Sequence, residues 1–116
     1  MKTLVALSIV CLLSFVGLVY CKKDSIPIPS CIQQKIDSIK SSPKRTPPAE
    51  IHLWTYQGRK VYLFSAPCCN EFVKVMDENC QYVCSPSGGP LKYGDSLCAD
   101  FYQDAKYLGM VFRDDK

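Results

Sequence analysis

The sequence predicts a small α+β domain: a disulfide-stapled antiparallel sheet of four or five strands, with an N-terminal helix and a C-terminal helix packed against it. Three observations lead to this prediction: alternating β patterns joined by a tight turn, an amphipathic helical pattern ahead of them, and eight cysteines among 116 residues. A chain this short buries little apolar surface relative to its conformational entropy, so cross-links are expected in it.

The first 21 residues have the pattern of an export signal. Lys2 is followed by an apolar run over residues 3–20, and Cys21 then marks an abrupt change to Lys-Lys-Asp at residues 22–24. We therefore divide the chain into a signal (1–21), an extended spacer (22–29) and a single disulfide-rich domain (30–116).

Three interpretations of this segment remain open. It is a lipoprotein signal with lipidation at Cys21, a signal removed by an ordinary peptidase, or a retained membrane helix of marginal length. Leu18 and Val19 fit a lipobox, whereas Tyr20 stands where a small residue is usual. The lipoprotein interpretation is favoured, and all three place residues 22–116 outside the cytoplasm.

Six cysteines remain beyond Cys21, and an even number in a short exported chain predicts disulfides rather than free thiols. They are Cys31, Cys68, Cys69, Cys80, Cys84 and Cys98. Their pairing is left open, except that Cys68 and Cys69 are expected to bond to two different segments, because adjacent residues close only a strained ring. The spacing does not match paired zinc knuckles, so neither a metal nor another cofactor is expected.

The domain is expected to begin with a helix at Ser30. Ser30 and Gln33 match a capping box, and isoleucines at 32, 36 and 39 repeat on one helical face. The helix is predicted to end by Pro43.

Two β-hairpins are predicted next. Residues 50–65 alternate around a turn at Gln57-Gly58, and both of their faces are substantially apolar, which predicts a hairpin covered on both sides. A second hairpin is predicted from residues 72–76 and 81–84, joined by a turn at 77–80.

The C-terminal third is predicted as a loop, a helix and a short strand. Residues 85–96 form a glycine-rich irregular loop, and residues 98–108 then show a helical pattern with Phe101, Ala105 and Leu108 on one face. Gly109 is expected to stop this helix before a closing strand at 110–112.

The residues do not indicate an enzyme. The single histidine, His52, is interpreted as an ordinary strand residue, so a nucleophile has almost no base available. Asp77, Glu78 and Asn79 are interpreted as turn residues rather than calcium ligands, because the spaced ligands of a calcium loop are missing. The net charge of +3 is dispersed, so no nucleic-acid partner is expected.

Aromatic residues are the remaining indication of function. Exposed aromatics on a stapled sheet would form a recognition surface, whereas buried ones would build the core, and we favour the core interpretation for most of them. They are Trp54, Tyr56, Tyr62, Phe64 and Tyr82 on predicted strands and Tyr93 in the loop.

Several segments resemble a family of small uncharacterised cysteine-rich lipoproteins of Bacteroidota. They are the runs 68–72 (CCNEF), 76–80 (MDENC), 84–89 (CSPSGG) and 98–101 (CADF), together with Cys31-Ile32, 47–50 (PPAE), 58–62 (GRKVY) and Gly94-Asp95. The likeness covers nearly all of residues 31–113. Asn70 and Ser96 depart from the Asp and Gly that the family often has, so no role is built on them. The resemblance implies no activity, but it favours lipidation at Cys21.

The sequence thus predicts a non-enzymatic domain of the bacterial cell envelope, anchored in the membrane through lipidated Cys21, with a binding or accessory structural role and a possible envelope protein as its partner. The alternative is a soluble secreted domain that acts as a protease inhibitor or effector, with the loop 85–96 as its contact. The sequence indicates no oligomeric state.

Overall fold

Five antiparallel strands form one sheet in the order β4-β3-β2-β1-β5, which confirms the predicted α+β class. The structure is a computed structural model that describes residues 26–116, so the signal and Cys21 lie outside the described residues. In chain order the elements are α1 (Ser30–Ser41), β1 (Glu50–Tyr56), β2 (Arg59–Phe64), β3 (Lys74–Met76), β4 (Tyr82–Cys84), α2 (Phe101–Asp104) and β5 (Lys106–Arg113). Within residues 26–116, no helix has the length and apolarity needed to cross a bilayer.

Helix α1 lies on one face of the sheet and buries the predicted isoleucine stripe. Ile32 and Ile36 are buried among residues of β1 and β2, and Ile39 packs at the edge of this cluster. The predicted capping box is wrong, because Ser30 is already helical and Pro29 is the N-cap, without a side-chain capping bond. Gln33 instead donates from Nε2 to Asp37 Oδ1 at 3.0 Å, one turn further along the helix.

Strands β1 and β2 form the predicted hairpin at the centre of the sheet. Directly opposite residues share a face, and Leu53 pairs with Tyr62 on the side of α1, whereas Trp54 pairs with Val61 on the other side. Both faces are covered, as predicted, because a second cluster around Phe101 packs on the side away from α1.

Strands β3 and β4 form the second predicted hairpin, although each has only three residues. Asp77 holds the turn between them, because its Oδ1 accepts hydrogen bonds from the backbone N–H groups of Asn79 and Gln81, both at 2.9 Å. The turn interpretation of this acidic cluster is therefore confirmed. Cys80 closes the turn and bonds to Cys31 of α1.

The predicted helix at 98–108 is wrong over most of its length. Only α2 is helical, and residues 106–113 form an edge strand that pairs with β1. Gly109, expected to stop a helix, lies within β5 opposite Leu53. The irregular loop at 85–96 is confirmed, since residues 85–96 contain no helix or named strand.

All six predicted cysteines form disulfides in the structure. The pairs are Cys31–Cys80, Cys68–Cys69 and Cys84–Cys98. The expectation that Cys68 and Cys69 bond to different segments is therefore wrong. Cys68 and Cys69 are exposed in the segment after β2, whereas Cys84 and Cys98 are buried together in the second cluster and Cys31 bonds to Cys80.

Candidate binding site

An aromatic cleft lies on the face of the sheet that α1 leaves uncovered. We define this aromatic cleft by the five residues that line its volume of about 420 Å³, which are His52, Trp54, Leu63, Tyr102 and Tyr107. Three of them come from the central hairpin, one from α2 and one from the edge strand β5.

The three large rings of the aromatic cleft are arranged edge to face. The Trp54 ring centroid is 5.0 Å from that of Tyr107, at an interplanar angle of 63°, and 6.1 Å from that of Tyr102, at 72°. The buried Phe101 ring supports Trp54 from below at 5.3 Å. Tyr102 is 53% exposed and Tyr107 48%, so an apolar group entering between them would gain contact with rings that are already fixed.

Polar groups border the aromatic cleft on both sides. His52 Nδ1 lies 2.9 Å from the Tyr107 hydroxyl, and His52 Nε2 lies 2.9 Å from a carboxylate oxygen of Glu50. In the tautomer that satisfies both bonds, Nε2–H donates to Glu50 and Nδ1 accepts from the tyrosine O–H. The Tyr102 hydroxyl is 3.0 Å from Ser87 Oγ. These groups offer hydrogen bonds at the rim of an otherwise apolar site, which is the usual make-up of a recognition pocket.

Two features of the chain bring Tyr102 and Tyr107 to the same place. The register of β1 against β5 shifts between Leu53 and Trp54, which leaves Leu108 of β5 without a partner and places Trp54 opposite Tyr107. In the single helical turn of α2, the side chain of Phe101 is buried in the core and that of Tyr102 lies at the surface.

A hydrogen bond at the start of α2 fixes this turn. The Tyr56 hydroxyl donates to Asp100 Oδ1 at 2.8 Å. The hydrogen bond from Tyr56, and to a smaller extent a hydrogen bond with Asp104, lowers the pKa of Asp100 below its usual value. The interaction with Asp100 in turn raises the pKa of Asp104. Of the two carboxyl groups, Asp100 therefore has the lower pKa and Asp104 the higher.

The structure divides the predicted aromatics between core and surface. Tyr56 and Tyr62 are buried, as the core interpretation predicts, and Trp54 and Phe64 are partly buried. Tyr82 and Tyr93 are exposed but lie outside the aromatic cleft. His52 is a strand residue with an aromatic cross-strand neighbour, in agreement with its interpretation.

Sequence reasoning missed Tyr102 and Tyr107. On the predicted helix 98–108 they are five residues apart, which is about 140° around the helix axis, so they point in different directions. An assignment of residues 106–113 to a strand would have placed Tyr107 beside the predicted hairpin. Tyr107 and Val111-Phe112 favour such a strand, whereas Lys106 and Leu108 are good helix formers, so local preference does not decide between the two.

The described residues do not assemble a metal centre. Within residues 26–116, no three side chains of His, Cys, Asp or Glu come together as a cation site, and the six cysteine sulfurs are engaged in disulfides. The aromatic cleft is lined by apolar rings and hydroxyl groups.

Comparison with known proteins gives a family but no activity. No curated protein and no solved structure matches the chain. The model of a domain of unknown function, DUF6970, matches residues 37–114, which include both hairpins and every residue of the aromatic cleft. The chain therefore belongs to the DUF6970 family.

Proposed function

We propose that this protein is a non-enzymatic binding domain of the bacterial cell envelope, held at the membrane by a lipid on Cys21, and that it captures an envelope protein through the aromatic cleft. The observation that carries the proposal is the pair of half-exposed tyrosines set edge-on against Trp54. Aromatic side chains fixed in advance lose little conformational entropy on binding, and for this reason Tyr and Trp dominate the energetics of protein interfaces.

The proposed location rests on the cysteines and the first residues of the chain. The three disulfides indicate an extracytoplasmic location. The lipid anchor is supported by the export pattern that ends at Cys21 and by the resemblance to small lipoproteins of Bacteroidota. Residues 22–29 would then link the lipid to the domain that begins with α1 at Ser30.

Intact mass spectrometry of the protein from its native membranes tests the anchor. We expect a chain that starts at Cys21 and carries acyl groups, with six thiols that become alkylated only after reduction. A lipid-free chain in the culture medium that starts at Lys22 would contradict the anchor and leave only the binding part of the proposal.

Site-specific photo-cross-linking in cells tests the aromatic cleft. A photoreactive phenylalanine analogue at Tyr107 is expected to give a cross-link to one discrete envelope protein. The matched control is the same analogue at Tyr93, which is 82% exposed but outside the aromatic cleft, and which is expected to give none.

A second variant separates specific capture from accidental contact. With the analogue at Tyr102, the added substitution Tyr107→Ser is expected to abolish the cross-link, because it removes one ring of the aromatic cleft, whereas Tyr93→Ser is expected to leave it unchanged. Equal cross-linking from Tyr93 and Tyr107, or no effect of Tyr107→Ser, would contradict the proposed interface.

A second candidate function is protease inhibition by a secreted form of the chain. The observation that favours it is the loop 85–96, where Leu91 is 78% and Tyr93 82% exposed. Backbone hydrogen bonds hold the base of the loop, from Gly94 N–H to Gly88 O at 3.1 Å and from Asp95 N–H to Ser85 O at 3.0 Å. Inhibition of at least one protease in a broad panel, lost in Leu91→Asp, is the result expected of this candidate, and no inhibition across the panel would remove it.

A further inference from the structure

A second, larger cavity lies on the opposite side of the sheet from the aromatic cleft. We call it the α1 cavity; it has a volume of about 640 Å³ and opens between α1, the adjacent strands β2 and β3, and the segment after β2. Its volume falls within the range of roughly 300–1,000 Å³ that is usual for small-molecule sites. Its floor is apolar, with Ile39 from α1, Phe64 from β2 and Met76 from β3.

Three cationic side chains surround this apolar floor. Lys35 lies one turn before Ile39 on α1, and Lys74 lies directly opposite Phe64 in the β2–β3 pairing. Neither lysine forms an ion pair with a carboxylate of residues 26–116, whose only ion pairs involve His52, Arg59, Arg113 and Lys116.

The third cation, Arg45, is fixed at the wall of the α1 cavity. Its Nη2 donates to the carbonyl oxygen of Ser65 at 3.1 Å and to Ser65 Oγ at 2.9 Å. Its buried Nε–H has no acceptor in the described part of the chain. Both hydrogen bonds of Arg45 are to neutral groups, and Arg45 forms no ion pair within residues 26–116.

The carboxylates around the α1 cavity do not balance these charges. Glu50 and Glu71 also line it, but the Glu50 carboxylate already pairs with Arg113, whose Nε lies 3.9 Å from Oε1, and accepts a hydrogen bond from His52 at 2.9 Å. Glu71 is then the one lining carboxylate outside the ion pairs of residues 26–116, against three lining cations. An apolar floor with a positive rim is complementary to a molecule that has an apolar body and one anionic head.

From this complementarity we infer that the α1 cavity binds a small amphiphilic carboxylate, with its hydrocarbon part on Ile39, Phe64 and Met76 and its carboxylate between Lys35 and Lys74. Lysine is suited to this role, because its ammonium moves on a flexible stem and can follow a head group whose position varies with chain length. This site is separate from the aromatic cleft and does not depend on it.

Calorimetric titration of the exported full chain, in lipid nanodiscs where it carries acyl groups, tests the inference with octanoate as the probe. Empty nanodiscs give the blank. We expect saturable octanoate binding and at least about tenfold weaker binding of neutral octanamide, which has the same hydrocarbon part. The double variant Lys35→Gln/Lys74→Gln is expected to weaken octanoate binding about tenfold, because two partly exposed charge pairs are lost.

The matched control is Lys92→Gln/Lys106→Gln, which removes the same charge from exposed positions outside the α1 cavity and is expected to leave the affinity unchanged. Unfolding curves of both double variants are compared first, and equal stability is expected because all four lysines are exposed. Three results would each overturn the inference: no saturable octanoate binding, equal binding of octanamide, or equal weakening by the two double variants.

Discussion

Two glycines with nearly the same backbone angle have different reasons to be glycine. Gly58 has φ +77° in the β1–β2 turn and Gly94 has φ +75° in the loop 85–96. A Cβ at Gly58 would meet no atom within 4 Å, whereas a Cβ at Gly94 would overlap the carbonyl oxygen of Ser85. With Gln57 at φ 52°, Gly58 completes a tight turn in which both central residues have positive φ, as in type I′ hairpins.

This difference predicts the cost of two alanine substitutions. Gly58→Ala is expected to lower the free energy of unfolding by about 1–2 kcal/mol, the cost of a left-handed backbone for a residue with a Cβ. Gly94→Ala is expected to cost a further 1–3 kcal/mol or so, because the Cβ forces the loop away from Ser85. Urea unfolding of both variants measures the difference. Equal losses of unfolding free energy would show that the loop 85–96 moves to accommodate the Cβ at position 94 without a further cost.

At the scale of elements, the extent of the C-terminal helix is the main difference from the prediction, since only residues 101–104 of the predicted 98–108 are helical. The apolar residues 101, 105 and 108 fit a helical period, but Phe101 is buried and Leu108 is 41% exposed. Strand β5 has two irregularities in its pairing with β1. Buried and exposed side chains therefore do not alternate regularly along β5, and its sequence lacks the alternation of apolar and polar residues by which a strand is recognised. Residues 106–113 are extended because they pair with β1, and a local sequence pattern cannot indicate pairing with a strand that is distant in the chain.

The helix that was predicted correctly, α1, is stabilised by a residue distant in sequence. Lys116 Nζ donates to the carbonyl oxygens of Ile39, Lys40 and Ser42, at 2.7, 3.1 and 2.6 Å. Carbonyls at a helix C-terminus lack partners and carry partial negative charge, so an ammonium here both satisfies and neutralises them.

Removal of this cap is expected to weaken the attachment of α1. Lys116→Ala should lower the free energy of unfolding by about 1 kcal/mol, and the loss should shrink at high salt because part of it is electrostatic. Lys106→Ala, at an exposed position on β5, is the control and is expected to change stability by less than about 0.5 kcal/mol. Thermal unfolding at two salt concentrations gives both comparisons. An unchanged free energy of unfolding in Lys116→Ala would mean that water forms equally favourable hydrogen bonds with the carbonyl oxygens at the end of α1.

At the scale of the whole molecule, the local elements were predictable and their assembly was not. The hairpin turns at 57–58 and 77–80 have strong turn residues, and isoleucines mark the buried face of α1, so these parts follow from the sequence. The order of the strands and the aromatic cleft depend on β5 joining β1 across more than forty intervening residues. The α1 cavity also lies between distant segments, so sequence reasoning indicated aromatic residues such as Trp54 but neither the aromatic cleft nor the α1 cavity.

Disulfide pairing is the assembly feature with the largest consequence for stability. Cys31–Cys80 links α1 to the β3–β4 turn across a sequence separation of 49, Cys84–Cys98 spans 14, and Cys68–Cys69 spans 1. In the chain-entropy account, a cross-link stabilises a protein by restricting the unfolded chain, and the effect grows with the loop that it closes. The first two bonds are therefore worth about 4 and 3 kcal/mol, and the adjacent pair restricts almost nothing.

The corresponding double variants are expected to differ accordingly. Cys31→Ala/Cys80→Ala should lose about 4 kcal/mol of unfolding free energy, whereas Cys68→Ala/Cys69→Ala should lose less than about 0.5 kcal/mol and serves as the control. Urea unfolding gives these values, and brief reduction with alkylation and mass spectrometry should label the exposed pair before the buried Cys84 and Cys98. A large loss in Cys68→Ala/Cys69→Ala would mean that these two cysteines fasten separate segments, and the loop after β2 would then have to be held to another part of the domain.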